Sequence, residues 1–92
     1  MLEEKEIMES GKVVKVGSRN GVVVVQCSGN SFAAFKPMHP PDPAIGAELE
    51  WSSRGEPGFG RTTVTSVSDG YLWHVDKARF DLPPAFAMAL AD

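Results

Sequence analysis

The chain has 92 residues, of which 42% are hydrophobic and 23% charged, and its formal net charge is -3. That length allows one domain, and that composition excludes a wholly disordered chain. A single cysteine excludes an internal disulfide framework, and no apolar run approaches the roughly 20 residues that cross a membrane.

Nine Gly and seven Pro imply short elements joined by many turns. The charge is unevenly spread. Residues 1–10 set Glu3, Glu4, Glu6 and Glu9 against Lys5, and the C-terminal part is also acidic, whereas the stretch between them is mildly basic. Global acidity argues against strong nucleic-acid binding, which draws its affinity from Lys and Arg on phosphates. The N-terminus lacks the basic and apolar regions of a secretion signal. With Cys27 as the lone thiol, a reducing cytoplasm is the expected location.

Residues 1–10 form an acidic N-terminal segment with a poor amphipathic stripe. From Gly11 the pattern becomes β. Lys12 to Val16 is rich in β-branched residues, and Asn20-Gly21 is a hairpin signal because both residues tolerate positive φ. Val22 to Val25 then places apolar side chains on both faces. That fits a strand covered on both sides, or one facing a partner chain. Phe32 to Lys36 is a third strand with one Phe on each face, which completes an antiparallel meander. Pro37, Pro40, Pro41 and Pro43 turn the next stretch into an extended surface loop.

Ala47, Leu49 and Trp51 alternate with Glu48 and Glu50, the cleanest half-buried strand of the chain. Ser52 to Gly60 reads as a Gly-rich loop. Arg61 to Val67 forms a fifth strand, Asp69-Gly70 a turn, and Tyr71 to Val75 a sixth strand with Tyr71, Trp73 and Val75 on one face. In the tail, Pro83 and Pro84 suit a first helical turn, Asp81 is placed to cap it, and Phe86 and Leu90 are one turn apart.

Short strands at this density close into a small barrel rather than leave long edges exposed. The expected fold is all-β: a small, five- to six-stranded antiparallel barrel of oligonucleotide/oligosaccharide-binding (OB) or SH3-like type, with a short C-terminal helix. The barrel is expected over residues 11–76, with the helix in a C-terminal segment of residues 77–92.

Gly11-Lys12-Val13, Gly21-Val22 and Ile45-Gly46-Ala47-Glu48-Leu49 resemble the strand entries of OB-fold proteins of the S1 type. The resemblance runs loosely over residues 11–67 and implies RNA binding. The second strand departs from it, being all valine where S1-type surfaces present aromatic and basic residues.

For chemistry, His39, His74 and Cys27 lack metal-ligand spacing, and no cofactor is expected. Cys27 reads as a small hydrophobe, His74 as a surface residue and His39 as solvated. There is no nucleophile elbow. Gly55 to Arg61 lacks the Lys-Ser/Thr of a phosphate-binding loop. Glu48 and Glu50 share one solvent-facing side of a strand and read as a solubilising edge.

The expectation is therefore a non-enzymatic binding module, mediating protein interaction or self-association and having no membrane role. The valine strand and the apolar tail carry that reading. The alternative is single-stranded nucleic acid, which needs aromatic faces beside cations. Phe32, Phe35, Lys36, Arg54, Phe59, Arg61 and Trp73 are its candidates. Trp51 is assigned to the core.

Overall fold

The computed structural model describes residues 8–52 and 63–92. Six strands and one helix follow in order: β1 (Met8–Val16), β2 (Val23–Gln26), β3 (Phe32–Pro37), β4 (Glu48–Ser52), β5 (Thr63–Ser66), β6 (Leu72–Leu82) and α1 (Pro84–Leu90). All pairings are antiparallel, and the strands close in the order β1-β2-β3-β6-β5-β4. The fold is thus a small closed all-β barrel with a short C-terminal helix. Two three-stranded meanders, β1-β2-β3 and β4-β5-β6, are its halves.

Period-two alternation sorts the side chains. Val13, Val23, Val25, Ala33, Phe35, Leu49, Trp51, Val64, Trp73 and Val75 fill the barrel interior. The intervening Val24, Phe32 and Ala34 point outward and are covered by Ala87 and Ala91 of the helical tail. Both faces of the valine strand are therefore buried within one chain: the interior takes Val23 and Val25, and α1 covers Val24. The partner chain that this strand had suggested is not needed to explain it.

Bulges bend the strands into closure. In β1 an extra residue between Val13 and Lys15 bulges the ladder with β2, just past Lys12, which pairs with both β4 and β2. In β6 the spacing from Asp76 to Arg79 opposes only Lys36 to Ala34, and Arg79 to Leu82 opposes Ala34 to Phe32. Lys77 and Asp81 absorb these insertions at φ 55° and 59°. Two bulges break the period of two, so β6 runs on to Leu82 where the sequence pattern had suggested an end at Val75. β6 thereby extends past residue 76, and among the described residues β1 starts at Met8.

Asp81 consequently lies in β6 and does not cap the helix. The N-cap is Pro83, without a side-chain cap bond, and Pro84 opens the helix where a missing N–H costs nothing. The other end of α1 is firmly tied. Asn20 Nδ2 donates to Leu90 O at 2.8 Å, and Lys15 Nζ donates to Met88 O at 3.1 Å. These satisfy carbonyls that a helix C-terminus leaves orphaned. The Arg19 and Asn20 N–H groups in turn donate to Asp92 O at 2.7 and 2.9 Å. A β-carbon on Gly17 would sit 2.6 Å from Asp92 N, so only glycine lets the tail close on this turn.

Candidate functional site

β3 and β4 lie on opposite sides of the closed strand order, so the connection between them crosses one end of the barrel. Its prolines remove donors, and its carbonyls are used instead as acceptors. Tyr71 Oη donates to Pro40 O at 2.9 Å, and Trp73 Nε1 donates to Pro41 O at 2.6 Å. Met38 N–H donates to His74 O at 2.8 Å and carries the β3–β6 ladder one step past Pro37. At the next position a side chain replaces the main chain: the His74 N–H donates to His39 Nε2 at 3.2 Å. That acceptor role places the proton of a neutral His39 on Nδ1, which lies 3.4 Å from Pro40 O.

An aromatic cluster results. The His39 ring centroid is 6.0 Å from that of His74 and 6.2 Å from that of Tyr71, while Tyr71 stands edge-on to Trp73 at 4.8 Å. Sequence spacing had separated His39 from His74; the β3–β6 pairing brings them together. Its only sequence trace is the placement of each His at one end of a strand. Exposed apolar side chains belong to the segments that meet at this end: Met38 (65% exposed) and Ile45 (68%) on the crossing loop, Val67 and Tyr71 on the β5–β6 turn, and Leu72 at the start of β6. All five belong to the same end of the barrel. Among the described residues Phe86 is the only other large hydrophobic exposed to this degree. Sequence reading missed this grouping, because Met38 and Ile45 sit outside any strand pattern.

The proposed nucleic-acid residues have different surroundings. Phe35 (1% exposed) and Trp73 (5%) are inside the barrel, and Phe32 (9%) is under α1. Base stacking requires an open ring face, and none of these three offers one. Phe32 and Phe35 also point to opposite sides of β3, as expected. Lys36 is exposed on the outer wall. Arg54, Phe59 and Arg61 lie outside the described residues.

The opposite end of the barrel holds a polar cavity of about 430 Å³ lined by Glu9, Ser10, Cys27, Ser28, Ser31, Phe80 and Asp81. Trp51 Nε1 donates to Glu9 Oε1 at 3.1 Å, fixing that carboxylate at the rim. The Cys27 thiol is half-buried here. Desolvation, reinforced by the negative charges of Glu9 and Asp81, pushes its pKa from 9.0 up to about 11. Such a thiol stays protonated at neutral pH and is a poor nucleophile. At the β5–β6 turn, the Tyr71 N–H donates to Asp69 Oδ1 at 3.0 Å and holds that carboxyl below its ordinary pKa. Among the described residues no three His, Cys, Asp or Glu converge on a metal position, and no helix is long and apolar enough to cross a membrane.

No family model, curated protein or solved structure matches this chain.

Proposed function

We propose that this chain is a non-enzymatic binding module that docks a protein on the barrel end crossed by the proline loop. One observation carries the reading. Met38, Ile45, Val67, Tyr71 and Leu72 are exposed apolar side chains gathered at that single end, and a cluster of this kind marks interaction surfaces. The underlying scaffold is stiff, because Pro40 and Pro41 carbonyls are pinned to Tyr71 and Trp73. A preorganised surface keeps the ordering cost of association low. A second copy of the chain is the first partner to test, by an isologous contact of two such ends. A reducing, cytoplasmic setting suits a module whose one thiol serves packing.

Sedimentation over a range of concentrations tests it, comparing the native chain with an Ile45→Lys, Leu72→Lys double variant. Self-association weakened by the double variant is the expected result. A native chain that remains monomeric at concentrations of order 1 mM overturns self-association and leaves a different protein as the partner. Association that the double variant leaves unchanged overturns this end as the surface.

Single-stranded nucleic acid, bound by an OB-like barrel of S1 type, is the second reading. Exposed Lys36 favours it. With Phe32, Phe35 and Trp73 buried, that reading rests on Lys36 among its described candidates, so its affinity would fall steeply with salt. Titration with a single-stranded oligonucleotide at low salt decides it: no spectral shift refutes it.

A further inference from the structure

The outer wall of the barrel carries a second feature, independent of the docking end. α1 packs along β2 and β3, and between its last turn and β6 an open groove of about 270 Å³ remains. Val22, Ala34, Ala78 and Leu90 line it, with Lys77 and Arg79. The register explains the space. Ala34 stands opposite Arg79 across the β3–β6 ladder, and its small side chain leaves open what a larger residue would fill. Phe86, one helical turn before Leu90, is exposed and extends the apolar strip along α1.

The charge at this groove has one sign. No carboxylate lines it, and neither Lys77 nor Arg79 forms an ion pair among the described residues. Lys36, two residues beyond Ala34 on the same face of β3, stands outside the groove lining and opposite Asp76. Asp76, opposite Lys36, directs Oδ1 to the Lys77 N–H at 2.9 Å. Lys77 itself is held at φ 55°, where glycine would avoid the β-carbon clash. A strained residue whose side chain reaches a groove is a candidate for a binding role.

We propose that this groove binds a small anionic amphiphile: a carboxylate between Lys77 and Arg79, with a short hydrocarbon chain over Val22, Ala34 and Leu90. Size limits the ligand. A cavity of roughly 150 Å³ takes benzene, and drug-sized ligands occupy roughly 300–1,000 Å³. The volume here falls between these, which suits a chain of about eight carbons.

Octanoate, octylammonium and acetate are the probes, titrated into isotope-labelled protein and followed by amide chemical shifts. Octanoate is expected to give saturable shifts at Val22, Ala34, Lys77 to Arg79 and Leu90, with a Kd of order 1 mM or tighter. Acetate and octylammonium should bind at least about tenfold more weakly, lacking the chain or the charge. A Lys77→Glu, Arg79→Glu double variant should reverse the preference toward octylammonium, a gain that an unfolded protein cannot mimic. Should that variant fail to fold, Lys77→Gly serves instead, since glycine accepts the local φ; octanoate affinity about fivefold lower supports the site. The proposal is overturned by absence of saturable octanoate shifts, by equal binding of octylammonium, or by shifts confined to the docking end. It is equally overturned if the double variant keeps its preference for octanoate or if Lys77→Gly leaves affinity unchanged.

Discussion

Asn20 ties the tail of the protein to the barrel, and its removal tests how the helix is held. Nδ2 donates to Leu90 O at 2.8 Å, while Oδ1 accepts from the Val22 and Asp92 N–H groups, both at 3.1 Å. Asn20→Ala deletes all three bonds at once. Each net bond is worth about 0.5–1.5 kcal/mol. The site is only part-buried, so water re-solvates some of the orphaned groups, and the lower half of the range applies: about 0.7 kcal/mol per bond, or about 2 kcal/mol in all. For a domain of this size that lowers the melting temperature by roughly 8–16 °C. Asn20→Asp keeps both acceptor contacts, loses one bond of the three and sets a carboxylate oxygen against Leu90 O at a helix C-terminus, so it should cost about half as much. Thermal and urea unfolding measure the loss. Native-state hydrogen exchange locates it, with α1 amides accelerated before those of the barrel. An Asn20→Ala loss below about 0.5 kcal/mol would refute the reasoning, since water would then replace the side chain at almost no cost.

Gly17→Ala inserts a β-carbon against Asn20 and Asp92; it should destabilise by about 2 kcal/mol and be less than additive with Asn20→Ala in a double-mutant cycle, because both act on one knot. Lys77→Gly should raise stability by about 0.5–1 kcal/mol by relieving a left-handed residue, and unchanged or lowered stability in urea would contradict the strain assigned to φ 55°. Cys27, with its pKa pushed up to about 11, should react with iodoacetamide at pH 8 at least about tenfold more slowly than an unperturbed thiol. The folded chain holds that proton more tightly than the unfolded one. Its contribution is therefore fully present below pH 9.0 and declines as pH rises toward about 11, a slope that Cys27→Ala should remove. Trp73→Phe deletes the bond to Pro41 O and should cost about 1 kcal/mol, with exchange broadening of loop signals as the direct sign.

Much of the fold is legible in the sequence because the strands obey a period of two. Val22 to Val25 and Phe32 to Phe35 announce two covered faces, and Gly21, Gly29 and Gly70 take the positive φ values that their turns require. Legibility ends where the period is broken. The stretch from Asp76 to Leu82 contains two bulge residues, Lys77 and Asp81, neither of them a glycine, so no turn residue marks the continuing strand. The candidate site was less accessible still. Alternation says that Phe32 and Phe35 face opposite ways, but it cannot say that α1 covers the outer one. His39 meets His74 through a ladder between distant strands, and local pattern carries no information about that register.

These facts also determine where binding is left to occur. A closed barrel of short strands draws Phe35, Trp51 and Trp73 into its interior, and α1 covers Phe32. Those four rings are thus consumed by stability, and the described surface presents aliphatic side chains with Tyr71 at the docking end and cations along the β6 groove, with Phe86 exposed on α1. The two surfaces call for different forces. Burial of Met38, Ile45 and Leu72 is insensitive to screening and strengthens in excluded salts such as sulfate. Attraction of a carboxylate to Lys77 and Arg79 weakens as the Debye length contracts to roughly 3 Å at 1 M salt. Raising sodium sulfate should therefore favour self-association while shrinking the preference of the groove for octanoate over octylammonium, a comparison in which the hydrocarbon contribution cancels. A preference for octanoate that sulfate leaves unchanged would mean that Lys77 and Arg79 do not hold the carboxylate, contrary to the charge drawn from the groove.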